Sequence, residues 1–213
     1  MSKLPKHLIF EEQPVTAPSS PPIVAVTNRQ QFQTFLQFPR QLYRGDPFWT
    51  PPFAVEEGHT FDARHPFWKY AECQLFLYQD NGRTLGRVAV FADHHYIQQT
   101  GESVGCFGYF EAVNAVAVAG ALLTAARDWL AARGIHRLRG PINGKLENGC
   151  AFLLEGFNRP PFVTMPYNPP YYIDLMEQLG LEKARDLVAY RIDLTQPIPA
   201  EVAAAAERCL SAG

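Results

Sequence analysis

Apolar and polar residues follow a strand-like pattern in three segments in the middle of the chain. Residues 73–79 (CQLFLYQ) and 84–92 (TLGRVAVFA) are rich in aliphatic and aromatic side chains, and the tight-turn sequence DNG lies between them. This arrangement predicts a β-hairpin. Residues 105–111 (GCFGYFE) predict a further strand.

Helical spacing of apolar residues appears in four other segments. The clearest covers residues 115–132, and Gly134 lies just past its end as a C-cap. Its apolar face consists of Leu122, Ala126, Trp129 and Leu130. Shorter helices are predicted at residues 171–179, closed by Gly180, and at residues 200–210.

The first helix is predicted to begin at Thr27, because Thr27 and Gln30 have the spacing of a capping box. Pro39 limits this helix, since proline cannot donate a backbone hydrogen bond. Its apolar face consists of Phe32, Phe35 and Leu36. The preceding run PVTAPSSPP is rich in proline and serine and does not pack into a core. We therefore predict a flexible tail and linker over residues 1–26 and a single domain over residues 27–213.

Two more strands are predicted at residues 136–140 (HRLRG) and 188–194 (VAYRIDL). Because a long helix separates the two strands within residues 108–140, those strands should be parallel neighbours in a mixed sheet. Residues 141–170 form a loop much longer than ordinary connections, and loops of that length are more often functional than accidental. The predicted fold class is a mixed α/β layer.

Composition and charge narrow the class of protein. The chain has 213 residues, of which 47% are hydrophobic and 19% charged, as in an ordinary globular domain. The formal net charge of −2 offers no electrostatic reason to expect nucleic acid or an anionic membrane as a partner. No apolar run approaches the ~20 residues of a membrane span, and the N-terminus lacks signal-peptide features, so the expected compartment is the cytoplasm.

Cysteine and histidine residues do not form a recognised metal motif. The four cysteines (Cys73, Cys106, Cys150 and Cys209) are far apart in the sequence, which favours buried reduced thiols. Asp93, His94 and His95 follow a predicted strand, but no third ligand lies at a recognised spacing. We expect them to be solvent-facing turn residues, and no metal site is predicted.

Two segments resemble the GNAT (Gcn5-related N-acetyltransferase) family. One is the strand-helix-strand unit of residues 108–140, and the other is residues 171–194, which is similar to the family's closing helix and hairpin. The sequences FGYFE, RGPIN, MPYNPPYY and DLVAY also resemble the first half of long GNAT-like bacterial proteins of unsettled function. The resemblance implies a GNAT-like acyl-CoA N-acyltransferase fold. It also implies a second GNAT-like domain or a homodimer as the partner.

The resemblance implies acetyl-CoA or another acyl-CoA as co-substrate, held by backbone near the start of the 115–132 helix. Free amides at a helix N-terminus attract phosphate, and glycine lets the phosphate approach closely. The implied donor-binding residues are Ala112, Val113, Asn114, Ala117, Ala119 and Gly120. Ala119 fits the family's phosphate loop, whereas Asn114 and Ala117 depart from it. A weakened acyl-CoA site and no site at all both remain open.

The family often uses a carboxylate on the central strand as general base and a tyrosine on the later helix as general acid. Glu111 is the carboxylate at the matching place, although it could instead cap the following helix. Met176 occupies the family's tyrosine position, and Tyr172 lies one turn earlier on the same face. Tyr172 is therefore the candidate acid, with an aromatic anchor for the proline-rich loop as the alternative.

The long loop offers uncharged polar groups for an acceptor. The candidate residues are Asn143, Asn148, Tyr167 and Asn168. Asparagines also occur at turns because they satisfy their own backbone, and this interpretation stays open.

The sequence and its resemblance to the GNAT family support two alternative functions. The first is acyl-CoA-dependent N-acylation of an amine on a small-molecule acceptor. The second is a catalytically silent GNAT-like binding or scaffolding module, the N-terminal half of a tandem protein. The incomplete phosphate loop and the methionine at the acid position favour the second.

Overall fold

The computed structural model describes residues 23–52, 60–163, 165–190, 192–193 and 195–211. Within them, five strands form one sheet in the order β1-β2-β3-β4-β5. The strands are β1 (Ile23–Ala25), β2 (Ala71–Asp80), β3 (Arg83–Asp93), β4 (Gly105–Ala112) and β5 (Leu138–Arg139). The first four pair antiparallel and β5 pairs parallel to β4. This mixed α/β layer confirms the predicted fold class and is compatible with a GNAT-like fold.

The predicted hairpin is confirmed as β2 and β3. Asp80 pairs with Arg83, so the connection contains only Asn81 and Gly82. Both residues have positive φ, at 48° and 76°, as a tight type I′ turn requires. The asparagine-glycine sequence therefore sets the register next to the turn, and an irregularity between Tyr78 and Gln79 shifts the register of the rest of the ladder.

Five helices accompany the sheet in the described parts of the chain. They are α1 (Arg29–Leu42), α2 (His94–Thr100), α3 (Val116–Ala131), α4 (Tyr172–Gln178) and α5 (Ala200–Ser211). Short 3-10 helices lie at Pro66–Lys69 and Leu146–Asn148. None of these helices combines the length and apolar character needed to cross a bilayer.

Helix α3 connects β4 to β5, and the predicted parallel pair is confirmed by the partners Gly105↔Leu138 and Cys106↔Arg139. Three residues of the predicted apolar face are buried and Trp129 packs at their edge. The three are Leu122, Ala126 and Leu130. Gly134 follows with φ 73°, a left-handed conformation that glycine adopts without strain.

The start of the described chain differs from the prediction. Residues 23–25 form β1, which pairs with β2, and Val26 is fully buried. The edge position gives these residues a hydrogen-bonding partner that the sequence does not indicate. Residues 1–22, which contain the proline-serine run, lie outside the described residues.

Helix α1 also departs from the prediction at both ends. Its N-cap is Asn28, which forms a capping box with Gln31, one residue later than the predicted pair of Thr27 and Gln30. Pro39 lies inside the helix, which continues to its end at Leu42. The predicted face is correct, because Phe35 is buried and Phe32 and Leu36 pack beside it.

Two apolar cores cover the two faces of the sheet. On the α3 face, strand residues pack against α3 and α4, and the largest members are Phe107, Phe110, Leu122, Leu130 and Tyr172. On the α1 face, the core is largely aromatic and includes Phe35, Phe61, Phe67, Phe91 and Tyr109. The end of β4 lies between these cores, where the polar groups described below meet.

The strand predicted at 188–194 is wrong for its described residues, none of which is in a strand. Val188, Tyr190 and Ile192 are 71%, 87% and 79% exposed. An isolated strand has no ladder to satisfy its backbone, so alternation alone does not produce one.

Candidate functional site

The ladder between β3 and β4 contains a bulge. Ala89 pairs with Gly108 and Arg87 pairs with Glu111, so both Tyr109 and Phe110 lie opposite a single β3 residue. Tyr109 has φ 47°, which is uncommon for a bulky residue. An extra residue in one strand reverses the alternation beyond it.

This reversal decides where Glu111 points. Phe107 belongs to the α3-face core, and strict alternation from it would direct Glu111 towards α3. Tyr109 instead belongs to the α1-face core, and the Glu111 carboxylate contacts Arg87 there. Because of the bulge, the side chain of Glu111, the candidate base, lies on the α1 side of the sheet.

Arg87 holds that carboxylate from within the core. The residue is 2% exposed, its Nε donates to Glu111 Oε2 at 2.5 Å, and its Nη1 donates to the Phe35 carbonyl at 2.7 Å. The guanidinium also lies over the rings of Phe35 and Tyr109, 4.8 Å and 5.7 Å from their centroids. Charge-assisted hydrogen bonds and ring contacts together offset the burial of this cation.

Pro39 explains why the Phe35 carbonyl is available. In a regular helix that carbonyl would accept from the amide four residues later, but residue 39 is a proline and has no N–H. Arg87 supplies the missing donor. The proline that was predicted to limit α1 thus creates an acceptor for the arginine that positions Glu111.

The alternative interpretation of Glu111 as a helix cap is wrong. The N-cap of α3 is Ala115, and no side chain caps it. Glu111 uses Oε2 for Arg87, and within the described chain Oε1 has no hydrogen-bond partner. The carboxyl side chain is 16% exposed. Among the described residues, one carboxylate oxygen is therefore left without a donor.

Tyr172 and its neighbour Tyr171 engage both backbone groups of Ala112. The Tyr172 hydroxyl accepts from the Ala112 amide at 2.8 Å, and the Tyr171 hydroxyl donates to the Ala112 carbonyl at 2.8 Å. Burial raises the pKa of Tyr172 well above its usual value, so its hydroxyl stays protonated. Its ring packs edge-on against Phe110 and against Phe152 of the long loop, as the anchor interpretation proposed.

Tyr43, at the C-terminal end of α1, is a member of this cluster that sequence reasoning missed. Burial and the nearby Glu111 carboxylate raise the pKa of its hydroxyl, which also faces Tyr172. Its ring stacks on Trp49 at 5.1 Å and meets Tyr167 edge-on at 5.7 Å. The available signal was the aromatic and proline-rich sequence YRGDPFW, which indicates an ordered loop but not its place.

Some of the predicted donor-binding residues have backbone amides that already donate a hydrogen bond, and others do not. Besides Ala112, the amide of Val113 donates to Leu85 and that of Ala119 donates to Ala115 within α3. Ala119 is fully buried. At Gly120, an added Cβ would lie 2.9 Å from Cδ2 of Leu179, so this glycine leaves room for that side chain.

The remaining amides lie at the exposed start of α3. Asn114 and Ala117 are exposed, and so is Val116 between them. Their amides have no hydrogen-bond partner within the described residues. An uncapped helix start with free donors can bind an anion.

The loop asparagines are engaged within the protein. Asn143 accepts from the Tyr109 amide at 2.7 Å, and Asn143 and Asn148 each donate to the other's backbone carbonyl. Asn168 is buried, accepts from the Leu153 amide at 2.6 Å and donates to the Pro169 carbonyl. These contacts favour the alternative in which asparagines satisfy the backbone.

Tyr167 ties the long loop to the segment after α1. Its hydroxyl donates to Asp46 Oδ2 at 2.5 Å, and burial together with that contact raises its pKa. Of the four predicted acceptor residues, Tyr167 is the one that contacts Tyr43 within the described chain, and the three asparagines bond to backbone groups.

The Asp93-His94-His95 sequence lies at a separate place. Asp93 caps α2 through the Tyr96 amide, His94 contacts Glu72 at 2.8 Å, and the His95 ring packs on Tyr70. Within the described residues, no group of three metal-binding side chains forms.

The four cysteines are free thiols, and the expectation that they are all buried is only partly correct. Cys73 is buried, Cys106 and Cys150 are half-buried, and Cys209 is exposed. Burial raises the pKa of Cys106 to about 11.

The chain thus forms a mixed α/β layer with a carboxylate and two tyrosines at the end of β4. Comparisons with known proteins can be set against this geometry. The chain is 33% identical to protein YghO of Escherichia coli K12 over 171 residues, which cover 79% of this chain and 44% of that protein. It is 36% identical to the bacterial ceramide synthase of Caulobacter vibrioides over 179 residues, which cover 83% of this chain and 47% of that enzyme. The chain spans about half the length of the curated relatives it matches. No family model and no solved structure matches it.

Proposed function

We propose that this chain takes part in transferring an acyl group from an acyl-CoA to the amine of a long-chain amino alcohol. The observation that carries the proposal is the Glu111 carboxylate, which has one oxygen without a hydrogen-bond partner in the described chain. It also lies within electrostatic range of the buried Tyr43 and Tyr172 hydroxyls. The 36% identity to a bacterial ceramide synthase supports it, because a ceramide is an amide formed between a fatty acid and a long-chain amino alcohol. A GNAT-like site is built for amide formation of this kind.

Glu111 is the proposed general base. The acceptor arrives as an ammonium ion, and Oε1 takes one proton so that the amine lone pair can attack the thioester carbonyl. A C–N bond forms, the C–S bond breaks, and the CoA thiolate leaves with a proton from Tyr172. The nitrogen gives up its second proton as the amide forms, which restores Tyr172, and Glu111 releases the first proton to solvent. Arg87 fixes the other oxygen and thus orients the carboxylate.

Tyr172 is the proposed proton donor to the leaving thiolate. Its oxygen accepts from the Ala112 amide, which leaves its own O–H directed elsewhere. The raised pKa keeps that proton on the hydroxyl at neutral pH.

The donor's pyrophosphate is proposed to bind at the start of α3. Asn114, Val116 and Ala117 are exposed residues, and their amides have no hydrogen-bond partner in the described chain. The positive end of the helix dipole adds to their attraction for phosphate. Glu111 does not oppose this binding, because Arg87 holds it on the α1 face while α3 packs on the other.

A specific observation favours the second candidate, a silent binding or scaffolding module. Tyr171 and Tyr172 occupy both hydrogen-bonding groups of Ala112, where an extended acyl-CoA chain would otherwise bind the strand edge. The loop asparagines are likewise engaged. The two candidates differ in whether acyl-CoA binds and turns over.

The test compares two glutamates that are each paired with an arginine. Glu111→Gln should lower kcat by ~10²–10⁴, the usual contribution of a general base, in transfer from a long-chain acyl-CoA to sphinganine. Glu102→Gln is the control, because Glu102 pairs with Arg139 at the surface, 3.0 Å away, and should leave turnover unchanged. Equal turnover in both variants would remove Glu111 as base. Absence of both transfer and calorimetric acyl-CoA binding in the unaltered protein would favour the silent module.

A further inference from the structure

The Tyr43 hydroxyl is buried and, within the described residues, makes no hydrogen bond of normal length and angle. The Tyr172 hydroxyl lies near enough to lower its pKa, but not in a position that pairs it. The residue is 5% exposed. Native proteins almost always pair buried polar atoms, so an unpaired one requires an explanation. A group that a ligand satisfies on binding is one such explanation.

The groups around this hydroxyl are polar, and they keep hydrogen-bonding capacity that the described contacts do not use. Tyr172 and Glu111 both lie within electrostatic range of it. Tyr172 uses its oxygen lone pair for the Ala112 amide but keeps a proton to donate, and Glu111 keeps Oε1. Three groups with remaining hydrogen-bonding capacity therefore border one region.

Aromatic rings adjoin this polar region on one side. Tyr43 stacks on Trp49 and meets Tyr167, and Tyr167 belongs to the long loop. Aromatic faces pack well against alkyl groups. A ligand with a small polar head and an alkyl chain would match both parts of this arrangement.

We infer that Tyr43 contacts the acceptor, and that its hydroxyl hydrogen-bonds the alcohol group adjacent to the amine. The inference rests on the proposed function, in which Glu111 accepts a proton from the ammonium. In a 2-amino-1,3-diol each hydroxyl is on a carbon next to the one that bears the amine, three bonds from the nitrogen. A tyrosine hydroxyl within electrostatic range of Glu111 can therefore pair with it. Tyr43 would then determine specificity for amino alcohols over simple amines.

The test uses two tyrosine-to-phenylalanine variants that have opposite structural consequences. Tyr43→Phe keeps the ring and removes an unpaired buried hydroxyl, so the Tm should stay the same or rise. Tyr172→Phe leaves the Ala112 amide unpaired, so the Tm should fall by about 2–10 °C. A hydroxyl with only a structural role would give a similar loss of Tm in both variants.

Binding is measured with a twelve-carbon 2-amino-1,3-diol and with dodecylamine, by tryptophan fluorescence and calorimetry. Tyr43→Phe should weaken diol binding by about 10-fold or more and leave dodecylamine binding unchanged, because only the diol loses a hydrogen bond. If the unaltered protein binds the diol in this way but transfers no acyl group, the inference stands and the proposed function fails.

Three results would overturn the inference. Tyr43→Phe could bind the diol as tightly as the unaltered protein does. It could lower the Tm as Tyr172→Phe does, which would show that the hydroxyl has a structural partner such as a bound water. The unaltered protein could also fail to prefer the diol over dodecylamine.

Discussion

Two regions of this chain carry similar apolar alternation and end in opposite environments. In β3, alternate residues enter the two cores, and Val88, Ala89 and Val90 are fully buried. In the region from residue 182 to 211, every described residue is exposed except the half-buried Ala204 and Ala205. The same kind of pattern therefore gives a central strand in one place and an exposed segment in the other.

The difference lies in what is available to pair with each segment. β3 has β2 on one side and β4 on the other, so both its backbone edges are satisfied. No such ladder accompanies Val188, Tyr190 and Ile192. Stability in this chain should then be concentrated in the sheet and its polar cluster, and the predictions below test that distribution.

The largest expected effect is at Arg87. Arg87→Met removes the donors to Glu111 and to the Phe35 carbonyl and leaves a largely buried carboxylate without this partner. Breaking a buried ion pair typically costs about 3–5 kcal/mol. Urea unfolding followed by circular dichroism would measure the loss.

The double variant Arg87→Met with Glu111→Leu is the control, since replacing both partners by apolar groups is often close to neutral. It should recover a large part of the stability that the single change loses. A single variant as stable as the unaltered protein would contradict the assignment of Arg87 to the stable part of the molecule.

A smaller effect than that of Arg87→Met is expected in thiol reactivity, which should differ between the sheet and residues 182–211. Burial raises the pKa of Cys106 to about 11, so at pH 8 the thiol stays protonated and its reactive thiolate is roughly 10²-fold scarcer than in an ordinary cysteine. Cys209, on α5, is exposed. Iodoacetamide labelling followed by mass spectrometry should modify Cys209 first.

Unfolding in urea serves as the control for this labelling. Both thiols should react at similar rates there, because Cys106 loses the burial that raises its pKa. Comparable rates in the folded protein would show that β4 opens readily, and the contrast between the two regions would then be wrong.

The smallest effect is expected from a matched pair of valines. Val188→Ala should change the free energy of unfolding by no more than about 0.5 kcal/mol, because Val188 is 71% exposed. Val88→Ala should cost about 1.5–3 kcal/mol, because Val88 is fully buried between strands and α3. Equal losses in urea unfolding would mean that the segment around Val188 packs as tightly as β3.

Much of the architecture could be predicted from local sequence. The DNG turn, the apolar face of α3 and Gly134 depend on residues close together in the chain, and each is correct. Glu111 and Tyr172 were selected from family resemblance, and they lie in one cluster. Arg87 and Tyr43 could not be selected, because their roles depend on partners far away in the sequence.

The sequence by itself determined the turn chemistry, the helix faces and the strand-helix-strand order, because these follow from backbone preferences and from spacing within a few residues. Only the tertiary structure decided the β4 bulge, the use of the Phe35 carbonyl by Arg87, and the exposed state of residues 182–190. Each of these is set by which distant backbone or side chain supplies a hydrogen-bond partner. Such pairing is a property of the packed chain, and no local pattern specifies it.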